Sequence, residues 1–488
     1  MANNDSDGDE LESLRLQIRG ITLEIMKKVH ERMELARQVG RVKGRLGRDI
    51  KDEKAEQEVR LMVIREAQAM GMSSEFALRL LNMLLGESEA VQAAGMAQMA
   101  PSSTTATNDD KKKSSQKKMT HLAVFQKAKQ MEAQGIKIIH LEVGEPDYSA
   151  PASAGLALAS SYAQGRYHYT DTRGIPQLRM AIANRAGVKD EARVMVTPGG
   201  RFAVFAAIAG LLRPGDELIT IEPAWPAYRE CADFIGARTK VLRTSIESGW
   251  TPDLRELESM INSATKMIAL NYPNNPTGKV LDRKTMDAIV ALARDRGLYL
   301  LSDEVYADYA FRPFTSALEY DYDRAIVVSS FSKTYAMTGF RVGYAVASAD
   351  SIKKMARVQA AGVTSVAEPV QLAALAALAE DPSHNVELMK GRLKFLSARL
   401  KEMSLRFVEP DGAMYAYPQL PSGGGEIIIQ DDMDLVEKLL EKGVAIAPGS
   451  GFGDSYKKFM RISACRPEKE MEEGLAVMAA VLGKKEAP

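Results

Sequence analysis

The sequence predicts a multidomain chain, an all-α front followed by an α/β back whose sheet is mainly parallel. Three observations predict it. At 488 residues the chain exceeds what one ordinary core accommodates, so at least two domains are expected. Between Ala93 and Lys118 it reads "AAGMAQMAPSSTTATNDDKKKSSQKK", small, polar and charged residues without an apolar period, the composition of a flexible tether. The hydrophobic pattern also changes across that stretch, from helical spacing before it to short apolar runs alternating with amphipathic segments after it. The expected limits are a disordered tail at 1–9, a helical domain at 10–92, a linker at 93–118 and the α/β domain at 119–488.

The front, Leu11 to Gln92, contains no proline, and Leu11, Leu14, Ile18, Ile21, Ile25 and Val29 recur at helical spacing. Lysine plus arginine equals aspartate plus glutamate at 64 each, so no overall charge draws the chain to nucleic acid. Cys231 and Cys465 lie far apart and match no metal spacing, which argues for a reducing compartment and against a disulfide framework or a metal site. No apolar run reaches membrane length, and the acidic start "MANNDSDGDE" is unlike a secretory signal. A soluble, cytoplasmic protein is expected.

The back offers the runs "ARVMVT", "DELITIE", "TKMIALNY", "GLYLLSDE" and "RAIVVSS", separated by helical segments such as "DRKTMDAIVALARDRG". Strand, helix, strand in that rhythm gives a parallel sheet covered on both faces, with ligands beyond the carboxyl ends of the strands. Those ends deliver Gly199 and Gly200, then Asn275, then Asp303 with Tyr306, then Ser330 with Lys333. Glycines opening a helix allow close backbone approach, and the free N–H groups of its first turn suit an anion. A lysine is costly to desolvate, so an amine delivered to such an edge reads as either a solvated loop residue or a reactive group.

The motifs "LEVGEPDYSAP", "YHYTDTRGIPQLR", "PGGRF", "NYPNNPTG", "DEVY", "SSFSKTYAMTGFRVGY" and "MRISA" stand in one order from about His121 to the C-terminus. In them the back resembles the fold-type I, pyridoxal-phosphate-dependent aminotransferases of the aspartate aminotransferase family. The resemblance implies a large domain with a mainly parallel sheet, a small domain, and pyridoxal 5'-phosphate as cofactor. It implies that Lys333 holds the cofactor covalently and moves a proton between substrate and cofactor, and that Asp303 pairs with the pyridine nitrogen. Tyr306 and Asn275 are implied as partners of the phenolic oxygen, and Trp225 as the aromatic stacked on the ring. Ser330, Arg341 and the backbone after Gly199 and Gly200 are implied as phosphate donors, with Tyr169 reaching the phosphate of a neighbouring subunit, hence a homodimer. Arg461 is implied as the clamp on the substrate α-carboxylate, with Gly144 lining the same pocket. Arg201 sits in the first turn of a helix, where a cation opposes the macrodipole, so a nearby anion is expected. In the branch this chain resembles, a basic residue there reaches the distal carboxylate of a dicarboxylic substrate.

In the front, Arg32 and Lys43 are eleven residues apart, about three turns at ~3.6 residues per turn, and share a face. Asp49 with Glu53, and Ser88 with Gln92, are i,i+4 pairs. Arg15 falls on another face, so it can join Arg32 only from a second chain or a folded-back helix. The segments "LESLRLQIRGITLEIMKKVHERMELARQVGRVKG", "RDIKDE" and "LLGESEAVQ" resemble the all-helical chorismate mutases. By position, that resemblance implies that Arg15 of a partner subunit and Arg32 bind the substrate carboxylates. Lys43 and Gln92 are then implied at the ether oxygen, Asp49 and Glu53 at the ring hydroxyl region, and Ser88 at a carboxylate. The rearrangement to prephenate needs no proton transfer, only a held conformer and a stabilised ether oxygen, so a neutral glutamine at 92 serves at neutral pH. Asp52 departs from the arginine many members carry, a charge that Arg48 or Lys54 would have to supply.

Joined, the two parts imply an enzyme of aromatic amino-acid synthesis acting on small molecules: chorismate, a keto acid for which prephenate is favoured as acceptor, and glutamate or aspartate as donor. Two alternatives stand beside it. The front could be a non-catalytic sensing or dimerising unit, or the chain a regulator with a DNA-binding head, which balanced charge and the lack of a helix-turn-helix disfavour.

Overall fold

The computed structural model describes residues 4–46, 53–73, 77–92 apart from 79, 83, 86–87 and 89–90, 121–421, and 429–483. The chain divides into two compact units, Met1–Lys113 and Ser114–Pro488. The expected linker, 93–118, lies outside the described residues.

The front unit is helical. Its first helix runs unbroken from Asn4 to Leu46, so residues 4–9, expected as a disordered tail, are helical instead. Their acidic composition suits a helix N-terminus, where negative charge is favourable. The same continuity removes the folded-back alternative for Arg15. Arg15 and Arg32 lie seventeen residues apart on one helix, roughly 25 Å at ~1.5 Å per residue. A second helix spans Glu53–Ala69, and the described residues between 77 and 92 are also helical. The buried apolar side chains described here are few and small: Ala36, Ala67, Ala77 and Leu81. Leu14, Ile18, Ile21 and Ile25, the expected apolar face, are instead about half exposed or more.

Among its described residues the back unit has twelve strands: β1 (Ile139–His140), β2 (Val194–Thr197), β3 (Glu217–Glu222), β4 (Arg238–Arg243), β5 (Thr265–Asn271), β6 (Tyr299–Asp303), β7 (Ala325–Ser330), β8 (Gly343–Val346), β9 (Tyr415–Ala416), β10 (Val444–Ala445), β11 (Ala447–Pro448) and β12 (Met460–Ser463). Seven form one sheet in the order β2-β8-β7-β6-β5-β3-β4. Only β8 runs against its neighbours, so the sheet is mainly parallel, as the pattern predicts. The alternation within β5 shows both faces covered: Met267 and Ala269 pack with the helix Gly200–Leu211, while Ile268 and Leu270 pack with the helix Arg283–Asp295. That second helix starts where Asp282 accepts a hydrogen bond from the Thr285 N–H at 2.7 Å, and buries Met286, Ile289, Val290 and Ala293.

A smaller region carries the antiparallel set β11-β12-β9 and the parallel pair β1-β10 around a separate core. Its two strand sets are tied together by the Ser463 N–H, which donates to the Leu141 carbonyl at 2.8 Å. None of the described helices is long and apolar enough to cross a membrane.

The start of β8 is packed tightly against backbone. Gly343 pairs with both Thr197 of β2 and Ser330 of β7. A Cβ on Gly343 would stand 2.6 Å from the Gly200 nitrogen, 2.7 Å from the Gly199 carbonyl carbon and 2.8 Å from the Ser329 oxygen. All three are backbone atoms that cannot rotate away, so Gly343→Ala is expected to lower stability by about 1–3 kcal/mol through overpacking. Gly155→Ala, at an exposed position of the helix Ala152–Ala163 with nothing near its Cβ, should instead gain up to ~1 kcal/mol. Thermal unfolding of the two variants beside the parent checks both signs.

Candidate active sites

In the back unit the strand ends converge on a cavity of about 390 Å³. Gly144, Gly200, Arg201, Trp225, Asn275, Asp303, Tyr306, Ser330, Lys333, Arg341 and Arg461 all line it. Gly199 does not line it but sets its wall: φ is +81°, and a Cβ there would fall 2.6 Å from Arg341 Nη2. Tyr169 lies outside it and is 91% exposed.

Each group is held by its neighbours. The Lys333 amine, half-buried, donates to the Gly144 carbonyl at 2.5 Å. The Lys333 carbonyl accepts from Tyr309 Oη at 3.0 Å and Tyr148 Oη at 3.3 Å, which fixes the backbone from which the amine extends. Asp303, 3% exposed, accepts from Tyr228 Oη at 2.6 Å and from the Val305 N–H at 3.3 Å. Burial pushes its carboxyl up to about 6 despite those donors. Next to it, burial pushes Glu304 up to about 7, against donors from the Ala317 N–H, Ser316 and Ser302. Ser330 Oγ donates to Ser332 Oγ at 2.9 Å beside the opening turn of the helix Gly200–Leu211. Arg341, with φ +54°, reaches that turn while Nη1 donates to the Thr338 carbonyl at 2.6 Å.

Arg461 is 2% exposed. Its guanidinium lies between two rings, 4.3 Å from the Tyr415 centroid and 4.9 Å from that of Phe452. Nη1 donates to Asn275 Oδ1 at 2.9 Å and Nη2 to the Glu142 carbonyl, while Nε has no protein partner. Tyr306 Oη meets Tyr415 Oη at 2.9 Å. The anion expected near Arg201 is Glu230, whose carboxylate pairs with Nη2, and the same guanidinium sits 5.2 Å over Trp225.

Sequence reasoning missed Tyr228, Tyr415, Phe452 and Asn271. Asn271 Nδ2 donates to the Asp303 carbonyl at 3.0 Å, and its Oδ1 accepts the Asn275 N–H at 2.9 Å. Tyr228 had a readable signal, three residues after Trp225 in "EPAWPAY", one turn along the same segment. Tyr415 and Phe452 had none, because only tertiary packing carries them to Arg461.

These side chains fit pyridoxal phosphate. A buried carboxylate raised by burial welcomes a cationic ring nitrogen, and a glycine-opened helix with two serines and an arginine welcomes a dianion. An indole flanks the cavity and an amine stands within it.

In the front unit, Arg32 Nη1 donates to the Leu84 carbonyl at 2.7 Å and to Ser88 Oγ, and Ser88 is 5% exposed. A Cβ on Gly40 would stand 2.5 Å from the Gln92 carbonyl oxygen, so the glycine lets the first helix pass close to Gln92. Gln92 Oε1 is buried without a protein partner, and Lys43, also half-buried, lies three residues beyond Gly40. Arg15 is exposed. Glu53 opens the second helix; Asp49, and with it Arg48 and Asp52, lies outside the described residues.

A mainly parallel sheet with a lysine and a buried aspartate at its strand ends has the form of a pyridoxal-phosphate-dependent transferase. Residues 136–478 match the family model "Aminotransferase class I and II", and residues 14–93 match "Chorismate mutase type II". An aspartate aminotransferase of Thermotoga maritima is 36% identical over 358 residues, 72% of this chain and 92% of the relative. An aspartate/prephenate aminotransferase of Thermus thermophilus is 33% identical over 380 residues, 74% and 96% of the two chains. Among solved structures, the Thermotoga maritima aspartate aminotransferase matches with a TM-score of 0.70 at 34% identity, covering 74% of this chain and 96% of that one. The Thermus thermophilus aspartate aminotransferase with maleate matches with a TM-score of 0.71 at 32% identity, covering 75% and 97%.

The chain therefore belongs to the class I and II aminotransferases, which depend on pyridoxal phosphate, and carries a chorismate mutase domain ahead of that module. Isomerase and transferase domains on one chain make it a bifunctional enzyme of aromatic amino-acid biosynthesis acting on small molecules.

Asp303 yields a pH-dependent prediction for the cofactor-free protein. Its folded pKa of about 6 exceeds the ordinary 3.8, so the folded state favours the protonated form. The destabilisation from ionised Asp303 therefore grows between about pH 4 and 6 and is complete above that. Asp303→Asn should stabilise the folded protein at pH 7.5 by an amount of order 3 kcal/mol for a shift of about two units, seen as a higher thermal midpoint, with the gap closing toward pH 4.

Proposed function

We propose that the front unit rearranges chorismate to prephenate and that the back unit transfers an amino group from glutamate or aspartate, with prephenate the favoured acceptor and arogenate the product. The observation that carries the reading is that Arg461 and Arg201 line one cavity with the Lys333 amine. A keto acid with two carboxylates, which prephenate is, suits two such cations. The name of the Thermus thermophilus relative, aspartate/prephenate aminotransferase, supports it. A second reading, transamination of oxaloacetate or arylpyruvates, draws on the several relatives named aspartate aminotransferase.

When bound, pyridoxal phosphate supplies an electron sink for the carbanion left at the substrate Cα. In this reading the Lys333 amine holds the cofactor and then carries the Cα proton. Asp303, oriented by Tyr228, keeps a proton on the ring nitrogen. Ser330, Arg341 and the helix N-terminus after Gly199 and Gly200 hold the phosphate, and Trp225 limits the ring on one side. Asn275 and Tyr306 face the phenolic oxygen, and Asn275 also orients Arg461 for the α-carboxylate beside Gly144. Tyr169, exposed as it is, suits contact with a second subunit's phosphate.

In the front, Arg32 with Ser88 binds one carboxylate, and Lys43 with Gln92 meets the ether oxygen. Asp49 and Glu53 serve the hydroxyl region. Arg15 comes from a partner subunit. A thin core of mostly alanines beside an exposed Leu14–Ile25 stripe supports a homodimer through the first helix.

The test is a single-pot assay with chorismate, glutamate or aspartate, and pyridoxal phosphate. Arogenate is expected; prephenate left unaminated while oxaloacetate or phenylpyruvate still reacts would overturn the acceptor assignment. Lys333→Ala should lose the visible absorbance of bound cofactor and cut transamination by roughly 10²–10⁴-fold or more, and retained absorbance would refute its role. Arg15→Ala and Arg32→Ala should each abolish chorismate turnover. Unfolded and refolded together, the two variants should recover about a quarter of parental turnover, since half the dimers then hold one intact site of two. No recovery would place Arg15 outside the partner's site.

A further inference from the structure

Arg201 differs from the other cations of its cavity. Lys333 donates to the Gly144 carbonyl, Arg341 to the Thr338 carbonyl, and Arg461 to Asn275 and the Glu142 carbonyl. Among the described residues, Arg201 alone of the four is ion-paired with a carboxylate, that of Glu230. The two side chains are 51% and 53% exposed, at the mouth of the cavity, and Glu230 itself does not line it.

We propose that Glu230 sets the preference between dicarboxylic and uncharged substrates by competing with a substrate's distal carboxylate for Arg201. The inference rests on the reading of Arg201 given above. Paired with Glu230 and laid over the Trp225 ring, the guanidinium presents a neutral, flat surface that an uncharged side chain can lie against. A distal carboxylate must take Arg201 from Glu230. Glu230 is readily released, because it occupies the first turn of the helix Ala227–Phe234, where a carboxylate remains favoured by the helix N-terminus. Arg201 has the opposite situation: its own helix N-terminus disfavours it, so it always gains from an anion. Exposed ion pairs are weak, so the competition is graded and one cavity serves both substrate types.

The experiment compares holoenzyme variants E230Q, R201Q and the double variant. The readouts are the ratio of kcat/KM for aspartate over phenylalanine, and the Kd of succinate from absorbance titration of the bound cofactor. E230Q should raise the ratio and lower the succinate Kd by about two- to fivefold, the size expected of an exposed pair. R201Q should lower the ratio, and E230Q should add nothing in the R201Q background. An E230Q ratio and succinate Kd that are unchanged or move the other way, with R201Q still selective against aspartate, overturn the role of Glu230 and leave that of Arg201 standing. An R201Q ratio equal to the parent's overturns the Arg201 reading and this inference with it.

Discussion

The arrangement of the back unit depends on one electrostatic constraint: four cations and two carboxylates face one cavity. Arg201, Lys333, Arg341 and Arg461 stand against Asp303 and Glu145. Such a set is stable only because each cation has a polar neighbour and each carboxylate a donor, and because the parallel sheet brings the strand ends together without choice of spacing. β2, β5, β6 and β7 all end on the same edge, since β8 reverses direction between β2 and β7. The surplus of positive charge awaits anions, which is what a phosphate dianion and substrate carboxylates supply. Tight packing around Gly343 keeps the glycine turn against β7 and so holds the helix end proposed to bind phosphate beside the serines.

The front unit obeys a different constraint. A helix of 43 residues cannot bury its own apolar face, and the described core beside it is mostly alanine. Arg15 and Arg32 lie along the same helix too far apart to meet one small molecule within a chain. Both features are met by the proposed dimer, in which a second copy's helix would cover the stripe and deliver its Arg15. Arg32 is fixed by Leu84 and Ser88, so part of the site is organised within one chain.

The sheet was legible because burial on both faces forces short apolar runs, and those runs end where the functional residues begin. Lys333, Asp303 and Asn275 could be found from those ends alone. What was illegible were the residues that hold them. Tyr415 meets Arg461 and Tyr306 from another part of the chain, and Phe452 brings a second ring to Arg461 from the short helix Gly449–Phe452. No local period marks either, because their partners are distant in sequence. Glu230 was not foreseen: the macrodipole argument asked for an anion near Arg201, and the sequence reading looked for it on a substrate rather than on the chain. The helix from Asn4 was expected as a disordered tail, although acidic residues are favourable at a helix start.

The two arginines proposed to read a substrate differ in a way that matches what they must read. Every amino donor and keto-acid acceptor presents the same α-carboxylate, and Arg461 is buried, sandwiched between rings and fixed by two hydrogen bonds. Little freedom remains to be lost on binding, so its contribution is orientation as well as attraction. Side chains vary between substrates, and Arg201 is half exposed with an exchangeable partner. A transaminase must accept two different substrates in one pocket, donor and acceptor in turn. A rigid cation for the shared group and an exchangeable one for the variable group is the division of labour that such alternation requires.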